Sequence, residues 1–391
     1  MDLTSASRLQ QEAQLNNKFN LVFSRRAEYL FKAPARINLI GEHIDYNGGH
    51  VLPACVSLYI KCLLSIREDL TINLYSTSFK DVESFDLNNF NKSSDSSWTN
   101  YIKGAITILK SHGYIVNKGL NILYDSTIPL GSSLSSSAAL LDVTIYALSN
   151  VFKFNISKKE IALMAREVEN NYLNLSCGIM DQAIISLGKE NSAMLLDCAT
   201  FNYEYYPLNL DNYRFVILNT NVERKLTESK YNERVKECNI GLSLIKDKYN
   251  VENLCQIPSN ELDNIRLLIK DDIIYKRVKH VISEESRVKE FCISLKNKDI
   301  NKMAKLLNQS HKSLKEDYEV SGIYLDTIVE EAINYGALGS RMTGAGFSGC
   351  AIALIDKDKF IEFRENVSKA YFNKTNLKCD ILLVDIVSGI E

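Results

Sequence analysis

At 391 residues with a formal net charge of −2, the chain is long enough for two domains of roughly 150 to 200 residues and a large buried interior. The near balance of charge leaves no basic stripe for a nucleic-acid backbone and no acidic tail, which argues against nucleic acid as a partner. Nine cysteines without a C-x-x-C pair spell neither a zinc nor a redox motif, and their odd number speaks against a disulfide framework, so reduced thiols in a cytosol are expected.

The start, "MDLTSASRLQQEAQ", has neither a basic nor an apolar leader region, so no secretory signal is expected. The longest apolar runs, "CAIALI" (350–355) and "ILLVDIV" (381–387), have strand length and fall short of a membrane span. A soluble cytoplasmic protein with no obligate protein partner is the expectation.

Residues 31–41 alternate, with Ala35, Ile37 and Leu39 on one face and Arg36, Asn38 and Ile40 on the other, which predicts a strand. "YNGGH" after it supplies residues tolerant of positive φ, so the chain turns and returns as the strand-like "VLPACVSLYIKCLLSI". Arg36, Glu42, His43 and Asp45 therefore lie on or just past a strand end. Carboxylates grouped there suit sugar hydroxyls, which donate to acceptor-only groups. One histidine among hard oxygen donors is poor transition-metal chemistry, and a solvated polar loop is the alternative.

The serine-rich patch at 91–97 reads as a surface loop, and Trp98, the only tryptophan, reads as a core residue. "PLGSSLSSSAA" (129–139) leads into helical spacing at Leu141, Ile145, Leu148 and Phe152. It is neither a Walker A loop nor a nucleophile elbow. It is either an anion site, built from first-turn amides and the helix dipole, or a serine-rich N-cap. Ser157 and Glu160 form a capping box for a second helix with the stripe Ile161, Met164, Ala165, Val168 and Tyr172, and Glu169 sits at the edge of that stripe. Asp181 is a single acid in an apolar stretch, "CGIMDQA", and either caps a turn or is buried for a purpose.

Beyond about residue 190, strand-like segments alternate with charged helices, so a second α+β domain is expected. "GAGFSG" (344–349) fits G-x-G-x-x-G, but a helical segment ending near Gly336 precedes it and a strand follows, the reverse of a dinucleotide turn.

Together these stretches resemble the galactokinases of the GHMP small-molecule kinase superfamily over nearly the whole chain. Residues 33–53 are similar to the galactokinase signature, 129–139 to the phosphate loop and "GSRMTGAGFSGC" (339–350) to the third motif, in the family's order. "WTNYIKG", "ENNYLNLSCGIMDQ" (169–182) and "ESKYNERVKEC" (228–238) support the match. The resemblance implies an α+β, two-domain GHMP kinase, with a ribosomal S5 domain 2-like half at 1–195 and a ferredoxin-like half at 196–391. By the same resemblance Glu42, His43, Ile44, Asp45 and Tyr231 bind the sugar, while Gly131, Ser132, Ser133, Leu134, Ser135, Ser136 and Ser137 wrap the phosphates of ATP. Ser137 and Glu169 would ligate Mg2+, Asp181 and Arg36 would be catalytic, Gly344 and Gly346 would shape the site, and Trp98 would lie near the adenine.

The inferred reaction moves the ATP γ-phosphoryl to the anomeric hydroxyl of galactose. A carboxylate beside a guanidinium accepts protons poorly, so Asp181 is expected to orient the hydroxyl and take its proton late. Serine at 133, and less so alanine or serine at 35, 348 and 24, stands where the family carries glycine. A Cβ at Ser133 is expected to crowd the triphosphate or to require an unfavourable φ. The rival readings are a kinase for N-acetylgalactosamine or another sugar, and a non-catalytic sugar sensor that regulates through a protein partner.

Overall fold

The computed structural model describes residues 5–93, 97–175, 177–222 and 227–391. In chain order the first half holds α1 (Ser5–Phe23), β1 (Tyr29–Asn38), β2 (His50–Val51), β3 (Pro53–Ile66), β4 (Thr71–Ser76), β5 (Val82–Asp86), α2 (Thr99–Ser111), β6 (Leu120–Ser126), α3 (Ser136–Val151), α4 (Lys158–Glu167), α5 (Met180–Leu187), β7 (Ser192–Asp197) and β8 (Tyr203–Pro207). There follow β9 (Tyr213–Asn219), α6 (Thr227–Tyr249), α7 (Leu262–Leu268), α8 (Asp272–Lys296), α9 (Ile300–Glu316), α10 (Ile323–Asn334), β10 (Gly339–Thr343), β11 (Cys350–Asp356), α11 (Phe360–Thr375) and β12 (Asp380–Leu383).

The alternating run predicted over 31–41 forms β1 only as far as Asn38, with Leu39 to Gly41 outside the strand; β1 pairs antiparallel with the returning β3, and the register shifts between Pro34 and Ala35. Sheet order is β1-β3-β6-β4-β5, with β2-β7-β8 as a small second sheet and β10-β11-β9-β12 in the C-terminal half. β1 is an edge strand, yet its last six residues are buried on both faces. The free edge is covered, because the Arg36 amide donates to the Leu134 carbonyl at 3.3 Å and the Asn38 amide to Thr343 Oγ1 at 3.0 Å. Covering an exposed edge removes a pairing hazard. Here it also brings the serine loop and the glycine hairpin onto the strand that carries Arg36.

Leu141, Ile145 and Leu148 face the core from α3, as their spacing predicts. The Ser157–Glu160 capping box opens α4, but the apolar stripe then runs into a π-helical turn, Val168–Tyr172. Such turns recur at functional sites, and this one carries Glu169. α1 caps the far face of the large sheet through Phe19, which packs with Leu63, Tyr75 and Leu123.

One expectation changes. A strand, β10, intervenes between α10 and the glycines, so 344–349 is the turn of the antiparallel β10–β11 hairpin. The last residue of β10, Thr343, pairs with Cys350, a closure that helix-like apolar spacing upstream does not reveal. β7 spans positions 195 and 196 and pairs with both β2 and β8. Near the chain end, Lys32 and Glu391 exchange backbone hydrogen bonds of 2.8 and 3.0 Å. Of the loop at 91–97, residues 94–96 lie outside the described residues. All nine cysteines are free thiols, and among the described residues no helix is long and apolar enough to cross a membrane.

Candidate functional site

β1 ends at Asn38, and the chain then folds through Gly41 and a 3-10 turn, Asp45–Asn47. That path brings Glu42, His43 and Asp45 to one wall of a cleft between the halves, a cavity of about 240 Å3. The same cavity is lined by Ser137, Glu169, Cys177, Gly178, Asp181 and Gln182, and by Tyr231, Gly344 and Ala345 from the C-terminal half. Asp45 approaches so closely that a Cβ at Gly178 would fall 1.7 Å from Asp45 Oδ2.

At the floor, Arg36 Nε and Nη2 donate to the two oxygens of Asp181 at 2.7 and 2.8 Å, a bidentate fork. Arg36 Nη1 donates to the Ser133 carbonyl at 2.6 Å. Ser135 has left-handed backbone at the start of α3 and makes no side-chain cap. Its hydroxyl donates to Asp181 Oδ2 instead. The serine-rich cap reading thus fails at Ser135, because the Asp181 carboxylate outcompetes the helix amides for its hydroxyl. Asp181 is the partly open member of the pair, 29% exposed at its side chain against 5% for Arg36.

Glu42 is buried and paired with Arg341. Burial pushes its carboxyl up, and Arg341 and Arg36 pull it back. Asp45 is pushed up to about 7, by burial first and then by the neighbouring carboxylates of Asp181 and Glu42. Burial, helped by His280, lowers the His43 ring to about 3, so the imidazole is neutral. Its Nε2 lies 3.2 Å from the Ala345 carbonyl, which only accepts, so Nε2 carries the proton. Nδ1 then accepts from the Tyr46 hydroxyl at 2.9 Å, and Tyr46 accepts from Tyr318 at 2.8 Å. Both ring nitrogens are thereby engaged by the protein. His43 lines the cleft through its ring, with its hydrogen-bonding capacity already used.

Glu169 is buried and accepts from the Cys177 thiol at 3.2 Å and from Gln182. Burial raises its carboxyl, with the Cys177 thiol and Ser137 hydroxyl opposing. It forms no ion pair among the described residues. No group of three or more His, Cys, Asp or Glu is gathered as a metal cage among the described residues. One carboxylate beside one hydroxyl, lacking a cationic partner, fits a hard ion such as Mg2+, which keeps waters and shares phosphate oxygens.

The cleft therefore gathers Arg36, Glu42, His43, Asp45, Ser137, Glu169, Asp181, Tyr231 and Gly344. Ile44 does not join them: its side chain is wholly buried in the core, because the turn that points 42, 43 and 45 at the cleft sends 44 inward. In the serine loop, Gly131, Ser136 and Ser137 are accessible, while Ser132, Ser133, Leu134 and Ser135 are buried. Ser133 does take the left-handed backbone a glycine would favour, φ 64°, as does Ser24, φ 54°. The Ser133 side chain packs under the hairpin, where a Cβ at Gly349 would meet its Oγ at 2.1 Å. Trp98 is half-buried and stacked on Phe79, with ring centres 6.0 Å apart. Ser176, and the side chains of 228 and 229 in the supporting stretches, lie outside the described residues.

Sequence reasoning missed Arg341, His280 and Glu284, which hold Glu42 from behind. Arg341 lies inside the quoted "GSRMTGAGFSGC", but no local pattern marks it as the counter-ion of an acid 299 positions away.

Models for the GHMP kinases N terminal domain and the GHMP kinases C terminal match residues 100–189 and 293–373. Fold and cleft thus define a small-molecule kinase of the GHMP class. The same two-domain fold occurs in a mevalonate kinase with a TM-score of 0.66 at 21% identity, over 92% of this chain and all of that one. The galactokinase galactose-binding signature matches residues 17–65. A galactokinase of Staphylococcus carnosus is 43% identical over 96% of this chain and 98% of its own. The crystal structure of Lactococcus lactis galactokinase complexed with galactose superposes with a TM-score of 0.93 at 40% identity, covering 97% of this chain and 99% of that one. The chain belongs to the galactokinase family.

Proposed function

We propose that this chain transfers the γ-phosphoryl group of ATP to the anomeric hydroxyl of D-galactose, giving galactose 1-phosphate and ADP. The observation that carries the reading is the Arg36–Asp181 fork at the point where the 42–45 wall meets Ser137 and Glu169. A relative bound to galactose supports the choice of sugar. Two halves meeting after Pro207, with the reaction in their cleft, are consistent with the strand pairing. Free thiols throughout suit a cytoplasmic setting.

In this reading Glu42 and Asp45 accept from sugar hydroxyls, and Tyr231 adds its own hydroxyl. His43 shapes the wall and fixes it to the hairpin through Ala345. Asp181 accepts from the anomeric O–H and aligns its oxygen with the γ-phosphorus. The new O–P bond forms as the bond to the β,γ-bridging oxygen breaks, and the hydroxyl proton passes late to Asp181. Arg36 offsets negative charge gathering between donor and acceptor, an interaction that strengthens in the transition state. Amides and hydroxyls of Gly131, Ser136 and Ser137, at the N-terminus of α3, face the phosphates. Trp98 and Phe79 offer a flat apolar surface for the adenine. Ser137 and Glu169 would hold Mg2+, which neutralises phosphate charge when bound.

An assay coupled to ADP release, run with galactose, N-acetylgalactosamine, glucose and arabinose with and without Mg2+, tests this. Turnover with galactose and little with the others is expected. Preference for N-acetylgalactosamine would replace the sugar, and no ADP release with any of them would leave a binding protein.

A further inference from the structure

Glu42 stands out for how it is held. Its amide donates to Glu284 Oε1 at 3.4 Å, beside the Gly41 amide at 3.0 Å. Its carbonyl accepts from His280 Nε2 at 3.1 Å, and its carboxylate from Arg341. Its amide, its carbonyl and one carboxylate oxygen are thus gripped by α8 or β10, from the other half of the chain. The grip is itself braced. Glu284, wholly buried, also accepts from Ser310 at 2.7 Å and from Arg287 at 2.6 Å. His280 has Ser313 Oγ at 3.0 Å from Nδ1, and Arg341 also donates to the Asn38 carbonyl at 3.1 Å. Burial lowers the His280 ring to about 4, so Nε2 carries the one proton that reaches the Glu42 carbonyl.

A turn residue past a strand end has many accessible rotamers and peptide orientations, and fixing them beforehand removes that entropy from the binding step. Holding its backbone polar groups from a helix and one carboxylate oxygen from a strand of the other half is a way to keep a recognition carboxylate within a narrow range of positions.

We propose that His280, Glu284 and Arg341 are positioning residues for sugar recognition, acting through Glu42 and touching neither the sugar nor ATP. The proposal rests on the reading that Glu42 meets the sugar. Selection of the sugar is then decided jointly by both halves: the first presents the carboxylate and the second sets its direction.

The experiment measures galactose KM, ATP KM, kcat and Tm for Glu42→Gln, His280→Leu, His280→Gln, Glu284→Gln and the double variant Glu42→Gln/His280→Leu. His280→Leu is expected to raise galactose KM about 3- to 10-fold, the loss of one hydrogen bond, with ATP KM within about twofold. His280→Gln, which keeps an N–H donor, should recover most of that. The double variant should have a galactose KM no worse than Glu42→Gln alone. Should Glu284→Gln fail to fold, the His280 pair still decides. A raised galactose KM in Glu42→Gln, with none in the folded His280→Leu and Glu284→Gln variants, overturns the proposal while leaving the kinase reading in place. Equal losses in His280→Leu and His280→Gln, spread over both substrates, overturn it in favour of a structural role. An unchanged galactose KM in Glu42→Gln removes Glu42 from the sugar wall, and with it both the proposal and that part of the functional reading.

Discussion

Arg36 and Asp181, 145 positions apart in the chain, meet edge to edge through two hydrogen bonds of 2.7 and 2.8 Å. The guanidinium is buried while the carboxylate keeps an open face, so the pair presents one acceptor surface to the cleft with a fixed positive charge behind it.

Replacing Asp181 with Asn keeps the shape and removes the charge. We expect kcat to fall about 100-fold or more, within the usual range for loss of an acid–base group, and Tm to fall because buried Arg36 loses its counter-ion. Near-wild-type kcat would remove Asp181 from the chemistry. Arg36→Ala should lower kcat more than it raises galactose KM, and steady-state kinetics in both substrates would separate the two.

Asp45 provides a pH test. Its folded-state pKa, about 7, lies above the ordinary 3.8. Below about pH 4 the carboxyl is protonated in both folded and unfolded chains. Between 4 and 7 the unfolded chain ionises first, so the sugar-free protein loses stability as pH rises, and the loss levels off above 7. Sugar binding has the opposite sign, since the ionised carboxylate is the better acceptor for a sugar hydroxyl. kcat/KM for galactose should therefore fall about tenfold per unit below pH 7, and Asp45→Asn should flatten that limb. A profile that is level from 5 to 8 in the unaltered protein would contradict this.

Glu169 is buried without a cationic partner among the described residues, a charge that a bound cation would balance. Glu169→Gln should raise the Mg2+ concentration for half-maximal rate about tenfold or more, with galactose KM held within about twofold. Titrating Mg2+ at saturating ATP measures it. A Mg2+ requirement identical to that of the unaltered enzyme would take Glu169 out of the metal site.

Ser133 and Gly349 test how the hairpin seats on the phosphate loop. A Cβ at Gly349, φ 92°, would meet Ser133 Oγ at 2.1 Å, so Gly349→Ala should destabilise by about 1–3 kcal/mol. Adding Ser133→Gly to that variant should recover part of the lost Tm. By itself Ser133→Gly should leave ATP KM within about twofold, because the side chain points at the hairpin. A large gain in ATP affinity would mean that the hydroxymethyl group crowds the nucleotide after all.

The elements that were legible are those written in short-range pattern. The alternation at 35–38 lies in β1, the spacing of Leu141, Ile145 and Leu148 lies in α3, and Ser157 with Glu160 made a cap, since each depends on residues within a few positions of one another. The resemblance of the motifs names Asp181, Glu169, Ser137 and Arg36, and these four line one cleft. What the local pattern could not carry were β10, hidden after a helical stripe, the inward turn of Ile44, and the saturation of both His43 nitrogens.

The chain's own order of residues determined where strands, helix starts and polar clusters fall, because those follow from backbone geometry and the period of apolar side chains. Tertiary structure alone decided that Glu42 would be held by Arg341, His280 and Glu284, at separations of 299, 238 and 242 positions. Such contacts are selected by the packing of whole elements and by the need to satisfy buried charge, and neither leaves a signature in any local window.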